Sequence, residues 1–212
     1  MTRIGDAVIE NIVFDMGQVL IHWTPDMFMD HYPLSGEDRE LLRRELFATV
    51  EWVRLDRGSI TEEQALAQIC ARLPERLHDV ARELVCRWWV WPFRYMEGME
   101  ALIRELKAKG YSIYLLSNAG LPLREYFSRL PAADCFSGKV ISSEERVIKP
   151  QPEIYRILLS RYGLESDSCV FIDDLPVNCE GAVEQGMHAV VFRGDVSRLR
   201  KELRSLGIRC EG

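Results

Sequence analysis

The sequence predicts an α/β fold in which a Rossmann-like parallel sheet carries an inserted all-helical segment. Three observations lead to this fold class. Short apolar runs alternate with amphipathic stretches over residues 97–206, and one more apolar run lies near the start, at residues 11–14. Between them, residues 22–96 show helical periodicity alone. Strands that alternate with helices form right-handed βαβ units, and these units build a parallel sheet.

The first strand is expected at Asn11-Ile12-Val13-Phe14, an apolar run with β-branched residues. Asp15 follows where this strand should end, and Gly17 comes two residues later. A glycine there lets the chain turn sharply or bring its backbone close to a ligand. Ligands of open parallel sheets bind outside the carboxyl ends of the strands. From this stretch alone, Asp15 is a helix N-cap, a metal ligand or a nucleophile.

The inserted segment reads as helices with recognisable starts. Ser35-x-x-Asp38 and Thr61-x-x-Gln64 each resemble a capping box ahead of an apolar-periodic stretch. A third helix is expected from Glu75 towards Trp91, and no convincing strand falls in the segment. The expected organisation is a catalytic core of residues 1–21 and 97–212 and a helical cap of residues 22–96. We call residues 22–96 the cap segment.

The remaining elements alternate in the core. Gly110 and Gly163 stand where glycines end helices, and Pro152 stands in a first turn. Strands are expected at residues 112–116, 139–142, 169–172 and 188–192. Helices are expected around residues 96–106, 123–130, 152–162, 178–185 and 196–206.

Composition narrows the class of protein. Lys plus Arg number 27 against 33 Asp plus Glu, a net charge of −6, which argues against a nucleic-acid partner. No apolar run approaches the roughly 18 residues of a membrane span, and residues 1–7 carry no sign of a signal peptide. Six scattered cysteines without a CxxC pair fit reduced thiols, so we expect a cytoplasmic protein. The sequence leaves the oligomeric state open.

Polar groups follow four predicted strands, and the carboxyl ends of parallel strands share one rim of a sheet. Together these groups provide what phosphoryl transfer through an aspartyl-phosphate requires: a carboxylate nucleophile, oxygen ligands for a hard cation, and an ammonium and a hydroxyl for the phosphoryl oxygens. Singly, each has a structural explanation such as a turn, a surface loop or an N-cap. The groups are Asp15, Ser117-Asn118, Lys149 and Asp173-Asp174.

These motifs, in this order, resemble those of the haloacid dehalogenase superfamily. The resemblance covers nearly the whole chain, because the cap segment lies between motifs one and two, where that family carries its smaller domain. It is closest to a phosphatase branch that includes bacterial glucose-1-phosphate phosphatases, which residues 56–63 also resemble. The motifs are Phe14-Asp15-x-Gly17-x-Val19, Leu116-Ser117-Asn118, Lys149-Pro150 and Ile172-Asp173-Asp174-x-x-x-Asn178.

The resemblance implies a Mg²⁺-dependent phosphatase that acts on a small phosphorylated metabolite such as a sugar phosphate, with Asp15 as nucleophile. It further implies that Mg²⁺ is held by Asp15, the Gly17 carbonyl and Asp174, with Asp173 and Asn178 in support. By the same resemblance, Ser117, Asn118 and Lys149 hold the phosphoryl group, and Lys149 acts in catalysis.

One position departs from the family pattern. The usual phosphatase carries a second aspartate, the general acid, where this chain has Gly17. His22 is a candidate replacement, although a histidine beside Trp23 is more often structural. Without an acid, activated esters should be preferred. In the cap segment, Arg57 is a candidate specificity residue, and the tryptophans either contact a sugar ring or pack the cap on the core.

Two alternatives remain open at this point. The chain could be a non-catalytic module that binds a phosphorylated ligand, although the retained Asp15 argues for an enzyme. It could also be a metal-independent carbon–halogen hydrolase, against which the Asp173-Asp174 pair speaks. A phospho-accepting receiver domain is excluded, because it lacks a cap and its acidic pair precedes the phosphorylated aspartate.

Overall fold

The computed structural model describes residues 8–211, and the expectation about a signal peptide falls on residues 1–7, outside them. A five-stranded sheet forms the centre, and all its pairings are parallel. A separate ribbon has two short strands. The strands are β1 (Asn11–Phe14), β2 (Ile21–His22), β3 (Arg94–Tyr95), β4 (Ser112–Ser117), β5 (Phe136–Ile141), β6 (Cys169–Asp173) and β7 (His188–Val191).

The sheet has the order β5-β4-β1-β6-β7, which places β1 in the centre. Phe14, at the end of β1, is in register with Leu115 of β4 and Ile172 of β6. All four residues of β1 are buried. A strand covered on both faces needs apolar side chains on both, which explains its uninterrupted apolar run. The predicted α/β class with a parallel sheet is confirmed.

Helices flank the sheet, and their ends largely follow the predicted signals. Pro152–Tyr162 coincides with its prediction, and Gly163 after it adopts the left-handed conformation (φ 63°) that glycine tolerates. The core helices are α6 (Met99–Ala108), α7 (Leu123–Tyr126), α8 (Ser142–Glu145), α9 (Pro152–Tyr162), α10 (Pro176–Glu184) and α11 (Val196–Ser205).

Strand β5 differs from its prediction. It begins at Phe136, three residues earlier than expected, and Ser142 belongs to α8 instead of the strand. Because β5 is the outer strand next to β4, most of its residues are only partly buried. Its first half therefore lacks the apolar run by which buried strands are recognised.

The cap segment contains five α-helices, a π-helical turn at Arg43–Phe47 and short 3₁₀ turns. They enclose an apolar cluster of their own, which includes Phe28, Leu42, Ile69 and Leu84. Thr61 and Gln64 form a complete capping box, whereas Ser35 makes only the bond from the Asp38 backbone N–H. The helices are α1 (Pro25–Met29), α2 (Gly36–Leu42), α3 (Val50–Arg57), α4 (Glu62–Cys70) and α5 (His78–Cys86).

The expectation that residues 22–96 contain no strand was wrong at both ends. Ile21 pairs with Tyr95 and His22 with Arg94 in an antiparallel ribbon, where the chain enters and leaves the cap segment. Each strand has two residues, too few to show an alternating pattern. Their pairing joins residues more than 70 positions apart, so only the folded chain reveals it.

Among residues 8–211, no helix combines the length and the apolar character needed to cross a membrane. All six cysteines lie within these residues and are free thiols.

Candidate active site

The carboxyl ends of β1 and β6 bring Asp15 and Asp173 to the same ammonium group. Nζ of Lys149 lies 2.8 Å from Oδ1 of Asp15 and 2.6 Å from Oδ2 of Asp173. All three side chains are buried. Because β1 lies directly between β4 and β6, the strand order alone sets Asp15 between Ser117 and Asp173.

Asp173 is held by four donor contacts. Nδ2 of Asn178 lies 3.0 and 3.1 Å from its two oxygens, the Leu175 backbone N–H donates at 2.8 Å, and Lys149 donates to Oδ2. Asn178 stands in the first turn of α10, so helix and strand fix one another. Such a saturated carboxylate has little capacity left for another ligand.

Asp174 is the freer member of the acidic pair. Oxygens of Asp15, Asp173 and Asp174 all lie within 4.8 Å of one another. Burial, and then the charge of Asp173, raises the pKa of Asp174. Clustered carboxylate oxygens suit a hard divalent cation such as Mg²⁺, which would relieve their repulsion. The donor set therefore fits the predicted cofactor.

The loop before α9 is fixed to the end of β4 by a two-way amide contact. Asn118 donates from Nδ2 to the Lys149 carbonyl at 3.1 Å and accepts from the Lys149 N–H at 2.8 Å. Ser117 ends β4 and is buried beside it. The predicted phosphate-binding residues thus come together on one rim with Asp15.

The charges of this cluster shift one another's titration. Burial acts to lower the pKa of Lys149, but the carboxylates of Asp15 and Asp173 outweigh it and raise the pKa above its ordinary value. Burial raises the pKa of Asp15, against the opposing charge of Lys149. Lys149 therefore stays protonated as the counter-ion of both acids.

Gly17 does not need to be glycine for its backbone conformation. The left-handed residue of this turn is Gln18, with φ 56°, and not Gly17. A Cβ atom on Gly17 would meet only Cβ of Trp23, at an ordinary contact distance of 3.9 Å. The left-handed conformation of the turn thus falls on Gln18, and the approach of the Gly17 backbone to a ligand stays a prediction. The site has room for a side chain at Gly17.

A cavity of about 900 Å³ opens over Asp15 between the core and the cap segment. Asp15, Asn118 and Asp174 line its core side. Its other walls are largely aromatic and aliphatic: Trp23, Trp52, Leu55, Ile60, Val85, Trp88 and Tyr126. Trp88 lines the cavity and also packs against Phe28 of the cap segment and against Phe93 and Tyr126, whereas contact with a sugar ring stays a prediction.

Asp56 begins the stretch of residues 56–63 that resembles the phosphatase branch, but no role of its own could be assigned to it from the sequence. It lies near the end of α3, half-buried, and lines the same cavity as Asp15. The signal was present but ambiguous, because an acid among Arg54, Arg57 and Glu62 looks like part of a solvated charged face.

The cap segment reaches the core through the residues around Asp56. Oγ of Ser142 donates a hydrogen bond to the Asp56 carbonyl. Gly58 has φ 69°, and a Cβ atom there would lie 2.2 Å from the Ser143 carbonyl oxygen. Glycine is required at this position by both conformation and space.

Two other candidates, His22 for the acid and for specificity and Arg57 for specificity, do not line the cavity among residues 8–211. His22 pairs with Arg94 in the ribbon, and neither His22 nor Arg57 is among the described residues that line the cavity. Arg57 instead extends to the core, with Nη2 3.4 Å from Oε1 of Gln151. Its Nε is buried without a hydrogen-bond partner among the described residues.

The parallel sheet, the acidic rim at its carboxyl end and the helical cap together indicate a capped α/β hydrolase. Residues 9–186 match the haloacid dehalogenase-like hydrolases. The chain belongs to this family.

The relatives carry several activities in their names. Flavin mononucleotide hydrolase 1 of Arabidopsis thaliana is 28% identical over 74% of this chain, a match that spans 62% of that protein. The sesquiterpene phosphatase astK of Aspergillus oryzae is 26% identical over 82% of this chain and 85% of its own length. Haloacid dehalogenases also occur among the matches.

Solved structures share the fold. A haloacid dehalogenase family enzyme from Bacteroides thetaiotaomicron, in complex with magnesium and inorganic phosphate, aligns with a TM-score of 0.67 and 19% identity. The alignment covers 90% of this chain and 98% of that one.

Proposed function

We propose that the protein is a Mg²⁺-dependent phosphatase that hydrolyses a phosphoric monoester through an aspartyl-phosphate on Asp15. One observation carries the proposal. The Asp15 carboxylate lines a cavity, with the Lys149 ammonium 2.8 Å away and oxygens of Asp173 and Asp174 within 4.8 Å. A nucleophile that attacks an anionic phosphate needs positive charge close by, and this site offers Lys149 and a cation-binding carboxylate set.

The carboxylates divide into two roles. Asp15, Asp174 and the Gly17 carbonyl would hold Mg²⁺, which when bound neutralises phosphate charge as the carboxylate approaches. Asp173, whose oxygens already accept from Asn178, Leu175 and Lys149, positions Lys149. Lys149, Ser117 and Asn118 bind the phosphoryl oxygens.

The alternatives fit less well. A halogen hydrolase needs no cation, so the cluster of Asp15, Asp173 and Asp174 would repel itself without benefit. A protein that only binds a phosphorylated ligand does not need a third carboxylate where the phosphate binds. The family membership supports hydrolysis, and the phosphatase names among the relatives support phosphoric monoesters as substrates.

The chemistry of the cavity wall favours a bulky apolar or aromatic leaving group over the sugar that the sequence suggested. Trp23, Trp52, Trp88 and Tyr126 offer flat apolar surface, and a cavity of about 900 Å³ accommodates a molecule of drug size. Glu62 and Glu63 line the cavity against Arg146, the single cation among the described residues of its wall, so a leaving group with its own negative charge is disfavoured. The flavin and sesquiterpene esters named for two relatives have this character.

Phosphate release from a panel of monoesters, with and without Mg²⁺, tests the proposal. The panel should contain aryl, terpenyl and flavin phosphates, glucose 1-phosphate, phosphoserine and 2-chloropropionate. We expect Mg²⁺-dependent phosphate release, highest for the bulky apolar esters and lowest for phosphoserine. Chloride release in EDTA without any phosphate release would refute the proposal, and a preference for glucose 1-phosphate would refute the substrate class.

A further inference from the structure

We propose that Asp56, delivered by the cap segment, is the general acid and base of the reaction. The inference rests on the proposed phosphatase function and fills the position that Gly17 leaves without a carboxyl group. It assigns to the cap segment a catalytic group as well as a cover for the cavity.

The position of Asp56 is fixed by two contacts with the core. Ser142 donates a hydrogen bond to its carbonyl, and the same hydroxyl accepts from the Ala119 N–H at 2.9 Å. Ala119 directly follows the predicted phosphate-binding Asn118. Two residues on, Gly58 touches the Ser143 backbone. Contacts at the Asp56 carbonyl and at Gly58 thus place Asp56 on the wall of the cavity that Asp15 also lines.

The Asp56 carboxyl has no structural task that would consume it. Within residues 8–211, no side chain makes a hydrogen bond to its oxygens, in contrast to the saturated Asp173. Asp15 from β1 and Lys149 from the loop before α9 act on its charge, and its charge in turn acts on Tyr126 from α7. Among the described residues, the other charged groups that line the same cavity are Glu62, Glu63, Arg146 and Asp174. A half-buried acid that faces a cavity without a partner is free to exchange a proton with a bound molecule.

Its surroundings favour the protonated form near neutral pH. Burial, and then the charge of Asp15, raises the pKa of Asp56 to about 8, although Lys149 acts in the opposite direction. Efficient proton transfer needs a group whose pKa lies near the working pH. At pH 7 most Asp56 side chains would therefore be able to donate a proton.

The reaction transfers the phosphoryl group first to Asp15 and then to water. An oxygen of Asp15 forms a bond to phosphorus while the bond between phosphorus and the ester oxygen breaks. The leaving oxygen takes the Asp56 proton and departs as an alcohol or phenol. Water then attacks the phosphorus of the aspartyl-phosphate and gives a proton to the Asp56 carboxylate. Cleavage of the bond between phosphorus and the Asp15 oxygen releases inorganic phosphate. It leaves Asp15 as a carboxylate and Asp56 protonated.

The first test compares leaving groups in Asp56→Asn and the wild type, with kcat/KM measured at saturating Mg²⁺. Without the acid, alkyl phosphates should lose about 10²–10⁴-fold. 4-Nitrophenyl phosphate should lose little, because its leaving group is stable as an anion. Asp79→Asn, which removes an exposed carboxyl elsewhere in the cap segment, is the control and should leave both rates unchanged. If Asp56→Asn does not fold, Asp56→Ala takes its place.

Two further readouts separate a proton carrier from a structural residue. The wild type should lose kcat/KM for alkyl esters as the pH rises past about 8, since a general acid acts only while protonated. The Asn variant should lack this limb of the profile. It should also accumulate a hydroxylamine-labile phosphoenzyme with 4-nitrophenyl phosphate, because no base then activates the water.

A rescue experiment uses the space beside Gly17. Gly17→Asp places a carboxyl group two residues from the nucleophile, where a Cβ meets only Trp23 at 3.9 Å. In the double variant with Gly17→Asp and Asp56→Asn, kcat/KM for alkyl phosphates should be at least tenfold higher than in Asp56→Asn alone.

An equal loss for every leaving group in Asp56→Asn, with the pH limb retained, would overturn the inference and leave the phosphatase intact. A wild type that releases no phosphate from any ester in Mg²⁺ would instead refute the proposed function.

Discussion

Lys149 and Asp173 form an ion pair of 2.6 Å in which the lysine side chain is 1% exposed and the aspartate 0%. Lys149 also neutralises Asp15, so a single ammonium serves two buried acids. Removal of one partner from a buried pair typically costs about 3–5 kcal/mol, because the remaining charge is left uncompensated. We therefore expect Lys149→Met to lower the free energy of unfolding by about that amount and to abolish activity.

Lys109 offers a matched control for this variant. It lies 2.7 Å from Glu105, but its side chain is 32% exposed, and Glu105 keeps a second cationic partner in Arg200, so the loss should be at most about 1 kcal/mol. Lys109→Met should therefore change the urea midpoint little. Equal losses in the two variants would contradict a special role of the buried pair. Mg²⁺ should stabilise Lys149→Met more than the wild type, since an added cation replaces the lost charge.

Asp15→Asn should remove the nucleophile and preserve the shape of the site. We expect kcat to fall by several orders of magnitude while the far-ultraviolet circular dichroism stays unchanged. No phosphoenzyme should be trapped from this variant with any aryl phosphate. A variant that keeps a tenth of the wild-type rate would exclude covalent catalysis at Asp15.

Substitution of Asp174 and substitution of Asp173 should impair different properties of the protein. Asp174→Asn should raise the Mg²⁺ concentration needed for half-maximal activity, with little effect on stability. Asp173→Ala should instead lower the thermal midpoint, because it leaves Asn178 and the Leu175 N–H without this acceptor and removes one of the two carboxylates that Lys149 contacts. Titration of activity with Mg²⁺ and thermal melts of both variants check this division. It is wrong if Asp173→Ala melts like the wild type and alone changes the Mg²⁺ requirement.

Gly58→Ala should disturb the contact between the cap segment and the core. The new Cβ would lie 2.2 Å from the Ser143 carbonyl oxygen at a φ of 69°. Gly163 has a similar φ of 63° but no atom within 4 Å of such a Cβ. Gly163→Ala should therefore cost only about 1–2 kcal/mol of backbone strain and keep its activity.

In Gly58→Ala, the clash with the Ser143 carbonyl oxygen adds to this backbone strain. We expect a larger loss of stability than in Gly163→Ala and a marked fall in kcat/KM, because Asp56 is displaced with the loop. Chemical denaturation and steady-state kinetics measure both quantities. The same small stability loss in both variants, with full activity, would show that the close approach at Gly58 is not needed.

The order of strands and helices could be predicted because each of them depends on the local periodicity of the sequence. The buried runs at β1, β4 and β6 and the helix limits at Pro152 and Gly163 follow from the patterns of neighbouring residues. The resemblance of four ordered motifs gave the family, which the match over residues 9–186 confirms. The polar groups at the strand ends could be predicted to meet because parallel strands share one rim.

Other features are seen only in the tertiary structure, because they depend on contacts between residues far apart in the chain. The ribbon at the cap junction joins Ile21 to Tyr95, and the two short strands carry no pattern of their own. The difference in hydrogen bonding between Asp173 and Asp174, on which their proposed roles rest, follows from the contacts that Asn178 and Lys149 make with Asp173. Asp56 looks like any surface acid until the cap segment folds over Asp15. Burial and neighbouring charge, which set what a carboxyl group can do, are properties of the assembled chain and are absent from its sequence.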